Sequence, residues 1–119
     1  MLRDVGIYRE KAPLEAALAG VRELKERYAT VVVQDKGRLF NTDLLQTIET
    51  GHLLDVAECI VAGALNREES RGSHARRDFP ERDDQGWLRH SVFSRGDDGP
   101  VCDYAPVTLG KYDPEARTY

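Results

Sequence analysis

Apolar residues recur every three or four positions in two stretches of the sequence, and this spacing restricts the fold more than any other feature. In the first stretch the recurring residues are Leu14, Ala17, Val21, Leu24 and Tyr28. Such spacing places one apolar stripe along a helix whose other faces are charged. Pro13 suits the first turn of this helix, because its missing N–H is not needed there. The stretch therefore predicts an amphipathic helix over residues 13–28.

A second helix is predicted to begin at Asn41, which is a good N-cap, with Phe40 packed on Leu45 as a hydrophobic staple. Its apolar seam is wider than one neighbouring helix could cover, so we expect this helix to be central. The seam comprises Leu44, Leu45, Ile48, Leu53, Leu54, Val56, Ala57, Ile60, Val61, Ala64 and Leu65. Gly51 and Gly63 lie inside the helix, where each glycine destabilises the helix by about 1 kcal/mol relative to alanine. Their presence indicates close packing against a neighbour.

Helical periodicity ends after residue 65, and Gly72 is expected to terminate the helix in a left-handed conformation. Weak alternation over residues 90–95, a Gly-Asp-Asp-Gly turn and Tyr104 with Val107 favour a short β-hairpin despite Pro106. A non-helical tail of this length requires support from another surface.

The predicted fold is therefore mainly α. Residues 1–66 are expected to form an antiparallel, spectrin-repeat-like bundle of two long helices plus a short N-terminal one. Residues 67–119 are expected to form a mostly irregular tail with a small β-hairpin, packed on the bundle or on a domain outside this sequence.

Composition argues against several classes of function. The net charge of −4 is spread without a basic patch, so nucleic acid is not an expected partner. Cys59 and Cys102 do not form a disulfide framework, which indicates a reducing compartment. No apolar run reaches the roughly 18 residues of a membrane span, so a membrane would be reached only through a partner.

Motifs for catalysis, cofactors and metals are not found in the sequence. Neither GxGxxG nor GxxxxGK[ST] occurs, and the histidines and cysteines lack zinc-like spacing. Asp83 and Asp84 are adjacent in a predicted loop, which favours an arginine-paired turn over an acid–base pair. Trp87 is expected to be a packing anchor. We therefore predict no catalytic, cofactor-binding or metal-binding residue in this chain.

Residues 66–91 contain six arginines, six carboxylates and no lysine. Guanidinium groups form planar, bidentate pairs with carboxylates and tolerate partial burial better than ammonium groups. This segment is therefore predicted to form a structural or interface network rather than an active site. The residues assigned to it are Arg71, Gly72, His74, Arg76, Asp78, Arg82, Asp83, Asp84, Trp87, Arg89 and His90.

This segment also resembles the C-terminal domain of the flavoprotein subunit of succinate dehydrogenase and fumarate reductase. The resemblance rests on residues 67–76 (REESRGSHAR), 78–80 (DFP), 82–84 (RDD) and 87–90 (WLRH). It extends to residues 5–9 (VGIYR), 40–45 (FNTDLL), 51–58 (GHLLDVAE), 104–107 (YAPV) and the final Arg117-Thr118-Tyr119. L-Aspartate oxidase looks similar over residues 69–74, but it does not usually continue with the later segments.

The resemblance implies a parent flavoprotein that interconverts succinate and fumarate, with FAD in an N-terminal domain and a capping domain over the substrate. It implies an iron-sulfur subunit that passes electrons to membrane quinone, a flavinylation assembly factor, and a cytoplasmic position peripheral to the inner face of the membrane. This chain would then lack the FAD site and the catalytic residues, and would be inactive alone. Carboxylates of the tail and of the missing domain would pair with Arg71, Arg76, Arg82 and Arg89.

Two alternatives to this interpretation stay open. One is the corresponding domain of an L-aspartate oxidase-like flavoprotein, and the other is a free-standing helical interaction module. Surfaces that a parent protein would cover could also let the isolated chain self-associate.

Overall fold

The computed structural model describes residues 1–112, 114 and 115. The elements are β1 (Tyr8–Arg9), α1 (Lys11–Tyr28), α2 (Thr42–Asn66), β2 (Ala75–Arg76), α3 (Asp84–Trp87), β3 (Arg89–Gly96) and β4 (Gly99–Pro106). β1 pairs with β2 in parallel, and β3 with β4 as an antiparallel hairpin. The predicted mainly helical class with a small hairpin is confirmed. The Arg117-Thr118-Tyr119 motif lies outside the described residues.

The two long helices pack side by side in opposite directions. Leu14, near the start of α1, packs in one cluster with Val61 and Ala64, near the end of α2. At the opposite end of the pair, the Tyr28 hydroxyl donates a hydrogen bond to the Thr47 carbonyl at 2.9 Å. The core is small, because Val5 is the only further buried member of that cluster among the described residues.

α2 is covered on two faces, by α1 and by the β3–β4 hairpin, while a third face is exposed. On the covered side, the Phe93 ring of β3 lies against Gly63. On the open side Leu53 is 68% exposed and Val56 is 56% exposed. α1 and the hairpin together therefore leave part of the apolar seam of α2 uncovered.

Of the two predictions made for the start of α2, the N-cap is confirmed and the hydrophobic staple is not. The Asn41 side-chain oxygen accepts the Leu44 N–H at 2.8 Å, as the N-cap prediction requires. The Asn41 side-chain amide also donates to the carbonyls of Asp35 and Gly37. Because these bonds hold the preceding loop back against the cap, the chain reverses at Phe40, which has a φ of 51° and is 98% exposed. The predicted Phe40–Leu45 staple is therefore wrong.

The predicted short N-terminal helix is not found in the described part of the chain. Residues 2–7 form turns and bends instead, and β1 follows directly. The Ile7 and Arg9 carbonyls accept the N–H groups of Ala75 and Arg77 at 3.1 and 2.9 Å. Since β2 uses these carbonyls, they are not available to a helical ladder.

The predicted role of Gly72 as the terminator of α2 is also wrong. α2 ends at Asn66, and Arg67 follows it in an extended conformation. Gly72 does have a left-handed backbone, with a φ of 59°. It occupies a tight turn in which Arg71 and His74 exchange backbone hydrogen bonds of 2.8 and 3.0 Å. Its conformational freedom therefore serves this turn and not the helix end.

Close packing at Gly51 leads to a prediction with a matched control. A methyl group at this position would lie 2.6 Å from the Tyr28 hydroxyl oxygen, whereas one at Gly20 would meet nothing within 4 Å. We expect Gly51→Ala to lower the free energy of unfolding by about 1 to 2 kcal/mol, since Tyr28 must move and lose its hydrogen bond. Gly20→Ala should raise it by up to about 1 kcal/mol. Urea unfolding of both variants tests whether the two substitutions change the free energy of unfolding in opposite directions.

Candidate functional site: an arginine–carboxylate network after the second helix

Glu69 is the centre of the network. Its carboxylate is fully buried and accepts hydrogen bonds from Arg67 at 2.5 Å and from Arg71 at 2.8 and 3.0 Å. The backbone N–H of Asp83 donates a further bond to it at 2.9 Å. One carboxylate thus joins the chain just after α2 to the start of α3.

Glu69 is ionised despite its burial. Burial alone would raise the pKa of this carboxyl, but the hydrogen bonds from Arg71, the Asp83 N–H and Arg67 together lower the pKa below its ordinary value. The same contact with Glu69, opposed in part by burial and reinforced by Asp84, raises the pKa of Arg71. The buried charge is therefore compensated within the chain.

A second carboxylate, Asp84, extends the network toward the tail. Arg71 donates to it at 2.6 Å, and Arg82 binds it in a bidentate manner at 2.8 and 2.7 Å. These pairs, with Arg82 contributing most, lower the pKa of Asp84 to about 2. Arg82 also donates to the Glu115 carbonyl at 2.6 Å, which holds the tail near α3. Asp83 caps α3 by accepting the N–H groups of Gln85 and Gly86.

Arg76 provides the hydrogen bonds to the last carbonyls of α2. The sequence predicts Gly72, and not Arg76, as the residue that terminates this helix. The Arg76 side chain is 1% exposed and donates to the carbonyls of Ala64, Leu65 and Arg67 at 3.0 to 3.1 Å. A cation at this position also interacts favourably with the negative end of the helix dipole. The guanidinium lies 4.9 Å from the centre of the Phe79 ring.

Asp78 links this arginine to the start of α1. It pairs with Arg76 in a bidentate manner, with both distances 2.7 Å, and accepts the Lys11 N–H at 3.1 Å. The Arg76 pair is the main reason that the pKa of Asp78 falls to about 2. Arg76 and Asp78 therefore connect the end of one long helix to the beginning of the other.

His74 lies between two arginines and is held in one neutral tautomer. Arg9 donates to Nδ1 at 2.6 Å, and because an arginine cannot accept, Nδ1 carries no proton. The Nε2–H then donates to the Arg67 carbonyl at 3.1 Å. Burial is the largest cause that lowers the pKa of His74, and the charges of Arg9, Arg76 and Arg67 lower it further.

The lowered pKa values predict that acid destabilises the chain. The unfolded chain binds a proton at His74 near pH 6.5 and the folded chain resists it, so stability falls as the pH drops below about 6.5. Stability from Asp78 and Asp84 is lost at lower pH, between about 4 and their folded pKa values of about 2. Urea unfolding from about pH 7.5 to pH 5.5 measures the first slope. His74→Gln should flatten this slope, because it removes the group whose pKa burial lowers.

Trp87 packs against two arginines and a tyrosine. Its ring meets Tyr104 edge-on at 5.8 Å, with the guanidinium groups of Arg67 and Arg89 at 5.2 and 4.6 Å from its centre. Arg89 also lies 3.8 Å from the centre of the Tyr104 ring. No carboxylate pairs with Arg89 among the described residues. His90, the next residue, is exposed.

Three members of the network were missed from the sequence: Glu69 as its centre, Arg67 and Arg9. The sequence did contain a signal for Glu69 and Arg67: the charged residues Arg67, Glu69 and Arg71 occupy every second position of a non-helical stretch. In an extended chain, alternate residues lie on one face. Arg9 gave no comparable signal, since it is 65 residues from His74 in sequence.

A separate ionic cluster between the helices was also missed. Glu58 is buried and accepts from Arg22 at 3.1 Å and Lys25 at 2.8 Å, and Lys25 also pairs with Asp55 at 2.7 Å. Burial opposes ionisation of Glu58, but Lys25 and Arg22 lower its pKa below the ordinary value. This cluster fixes the register of α1 on α2.

The side chains of the network hold segments of the chain together through ion pairs and hydrogen bonds. Each of its buried or half-buried carboxylates is occupied by arginine, and Ser70 is bonded to the Phe79 carbonyl at 2.9 Å and not to a base. Among the described residues, no group of three His, Cys, Asp or Glu side chains could hold a metal ion. Each helix in the described part of the chain is either too short or too polar to span a bilayer. The structural or interface role assigned to these residues stays a prediction.

Comparison with known proteins gives matches along the whole chain. Residues 1–119 match the sequence profile described as "Fumarate reductase flavoprotein C-term". The fumarate reductase flavoprotein subunit of Haemophilus influenzae is 44% identical over 120 residues, which cover 100% of this chain and 20% of that protein. The succinate dehydrogenase flavoprotein subunit of Rickettsia conorii is 36% identical over 92% of this chain and 18% of its own length.

A solved structure of Escherichia coli quinol fumarate reductase agrees with the fold. It matches with a TM-score of 0.92 and 39% identity, over 98% of this chain and 20% of that chain. The present chain thus spans about a fifth of the length of the proteins that it matches.

Proposed function

Because the chain belongs to the family of fumarate reductase flavoprotein C-terminal domains, we propose that it is the structural C-terminal domain of a flavoprotein that interconverts succinate and fumarate. The observation that carries this proposal is the match of all 119 residues to that family. The parent protein would be an oxidoreductase. The chain alone would be inactive.

The geometry supports a structural role within a larger protein. The radius of gyration is 18.0 Å, whereas a compact chain of this length has about 13 to 14 Å. Few apolar side chains are buried, and α2 retains an exposed apolar face. We propose that residues 1–66 act as a helical bundle and residues 67–119 as a tail, both supported by the FAD-binding and capping domains of the parent.

FAD itself does not fit the described residues. Dinucleotides bind where a Gly-rich turn leads from a parallel strand into a helix N-terminus. The parallel strands β1 and β2 have two residues each, and the turn after β2 is bound to Ser70 and Arg76 instead of opening a helix. In this proposal, FAD and the groups that act on the substrate therefore belong to the remainder of the parent.

The partners follow from the family and are part of the same proposal. Electrons would leave the parent flavin through an iron-sulfur subunit toward membrane quinone. A flavinylation assembly factor would attach or stabilise FAD. The complex would lie in the cytoplasm, peripheral to the inner face of the cell membrane and attached to it through other subunits.

A chimeric enzyme tests this proposal. The matching C-terminal fifth of the Haemophilus influenzae subunit is replaced by this chain, and the enzyme is expressed with its native partners. We expect it to assemble, retain flavin and oxidise a reduced dye with fumarate. The chain alone, mixed with FAD and succinate, should neither retain flavin nor reduce a dye.

Two further chimeras separate assembly from chemistry. Arg71→Ala or Trp87→Ala should lower the amount of assembled, flavin-containing enzyme, while turnover per bound flavin stays close to that of the unsubstituted chimera. Arg95→Ala, which removes an exposed arginine, is the matched control. Normal assembly and flavin content with lost turnover would contradict a structural role.

A further inference from the structure

One cavity of about 540 Å³ has an unusual lining. It lies between the end of α2, the turn that contains His74, and strand β3. The charged or titratable residues that line it are Arg9, Arg67, Arg71, His74, Arg89 and His90. No carboxylate is among the described residues of its lining. A cavity with this lining favours a negatively charged occupant.

Part of that positive charge is already compensated, and part is not. Arg67 and Arg71 share the carboxylate of Glu69. Arg9 and Arg89 have no carboxylate partner among the described residues: Arg9 donates to backbone carbonyls and His74, and Arg89 contacts aromatic rings. Within the described part of the chain, two guanidinium groups on this cavity therefore have no counter-ion.

Two buried polar atoms on β3 also have no hydrogen-bond partner among the residues that the structure describes. They are Nε of Arg89 and the hydroxyl oxygen of Ser91, and both residues line this cavity. The two residues are separated by one position, so they lie on the same face of the strand. Each such buried group costs free energy unless something supplies its hydrogen bond.

We propose that this cavity binds a carboxylate group through Arg89 and Ser91. Both aromatic neighbours contact the Arg89 guanidinium, Trp87 at 4.6 Å and Tyr104 at 3.8 Å from their ring centres. These contacts hold the guanidinium beside the two rings, and the Nε–H on one edge of the planar group has no hydrogen-bond partner among the described residues. The edge presents parallel N–H donors, which match the two oxygens of a carboxylate. The Ser91 hydroxyl supplies a further donor.

The carboxylate could come from a free dicarboxylate or from an acidic side chain. Trp87 is the only tryptophan of the chain, so its indole N–H gives a single reporter signal beside Arg89. The test records ¹H–¹⁵N spectra of the labelled 119-residue chain, including the arginine Nε–H region. Sodium acetate, succinate and N-acetyl-glutamate amide are titrated separately at constant ionic strength, against chloride and N-acetyl-glutamine amide as controls. Arg89→Lys identifies the Nε–H signal of Arg89 by its loss.

We expect the Arg89 Nε–H and Trp87 indole signals to shift saturably with carboxylates and not with the two controls. Ser91→Ala should raise the apparent dissociation constant about three- to tenfold, since one donor is lost. Arg95→Gln, a substitution on the same strand outside this cavity, should not change it. The same spectra report whether each variant is folded.

The relative affinities assign the source of the carboxylate. Succinate that binds about tenfold tighter than acetate indicates a free dicarboxylate. Similar affinities for acetate and the blocked glutamate indicate an acidic side chain of another protein segment. Absence of a saturable shift with all three carboxylates, or a shift that chloride reproduces, would overturn the proposal. The binding site does not depend on the proposed function, because the measurement uses this chain alone.

Discussion

Replacing Glu69 with alanine is expected to lower the free energy of unfolding by about 3 to 5 kcal/mol, because the substitution leaves the Arg67 guanidinium without its counter-ion and leaves Arg71 with Asp84 alone. Arg67 and Arg71 are 16% and 27% exposed, so water cannot fully replace the lost carboxylate. The Asp83 N–H also loses its acceptor, which frees the start of α3 from the end of α2. This loss is large relative to the typical total stability of about 5 to 15 kcal/mol.

Urea unfolding followed by circular dichroism measures this effect. Glu68→Ala is the matched control: the same change is made one residue earlier, at an exposed glutamate. It should alter stability by no more than about 0.5 kcal/mol. Equal losses in the two variants would show that Glu69 is not the centre of the network.

Replacing Arg76 with methionine is expected to cost a similar amount, about 3 to 5 kcal/mol. Methionine fills much of the same volume, but it cannot donate to the three carbonyls at the end of α2. Asp78 would lose its bidentate partner. Arg76→Lys should recover only part of the stability, because an ammonium group cannot reproduce the planar fork.

Arg77→Met provides the comparison for this second prediction. Arg77 pairs with Glu10 at 3.1 Å, but its side chain is 65% exposed, and such a pair contributes no more than about 1 kcal/mol. Thermal unfolding of the two methionine variants should therefore give clearly different midpoints. If the midpoint of Arg76→Met equals that of Arg77→Met, the carbonyl contacts of Arg76 do not hold the end of α2.

Local signals in the sequence predicted the elements whose bonds are local. The Asn41 cap depends on a bond three residues away, and the apolar repeats of α1 and α2 depend on helical spacing. The hairpin depends on a turn between adjacent strands. In each case the physical cause lies within a few residues of its effect, so the pattern was sufficient.

The expectations that failed depend on partners far away in sequence. β1 replaces a short helix because β2 accepts it as a neighbour, and nothing near Tyr8 indicates this. Gly72 has the left-handed backbone that was expected, yet Arg76, ten residues beyond the end of α2, satisfies the helix carbonyls. Glycine content alone could not distinguish a helix end from a tight turn.

The sequence predicted the type of interaction in the arginine network, but only some of the partners that pair. The absence of lysine in residues 66–91 led us to expect guanidinium–carboxylate pairs, and the structure contains such pairs at Arg71, Arg76 and Arg82. It could not show that Arg89 would contact two rings instead, since stacking depends on the hairpin that carries Tyr104. Which carboxylate is buried is likewise a property of packing.

The pairing of β1 with β2 has a consequence for the integrity of the chain. It joins Tyr8 to Ala75, and Asp78 adds a bond to Lys11, so the first helix is held at both ends by residues beyond the loop that follows it. That loop, residues 29–41, has no helix or strand and is largely exposed, which is typical of sites of proteolytic cleavage. A single cut there would leave two fragments that stay associated and migrate as one species until they are denatured.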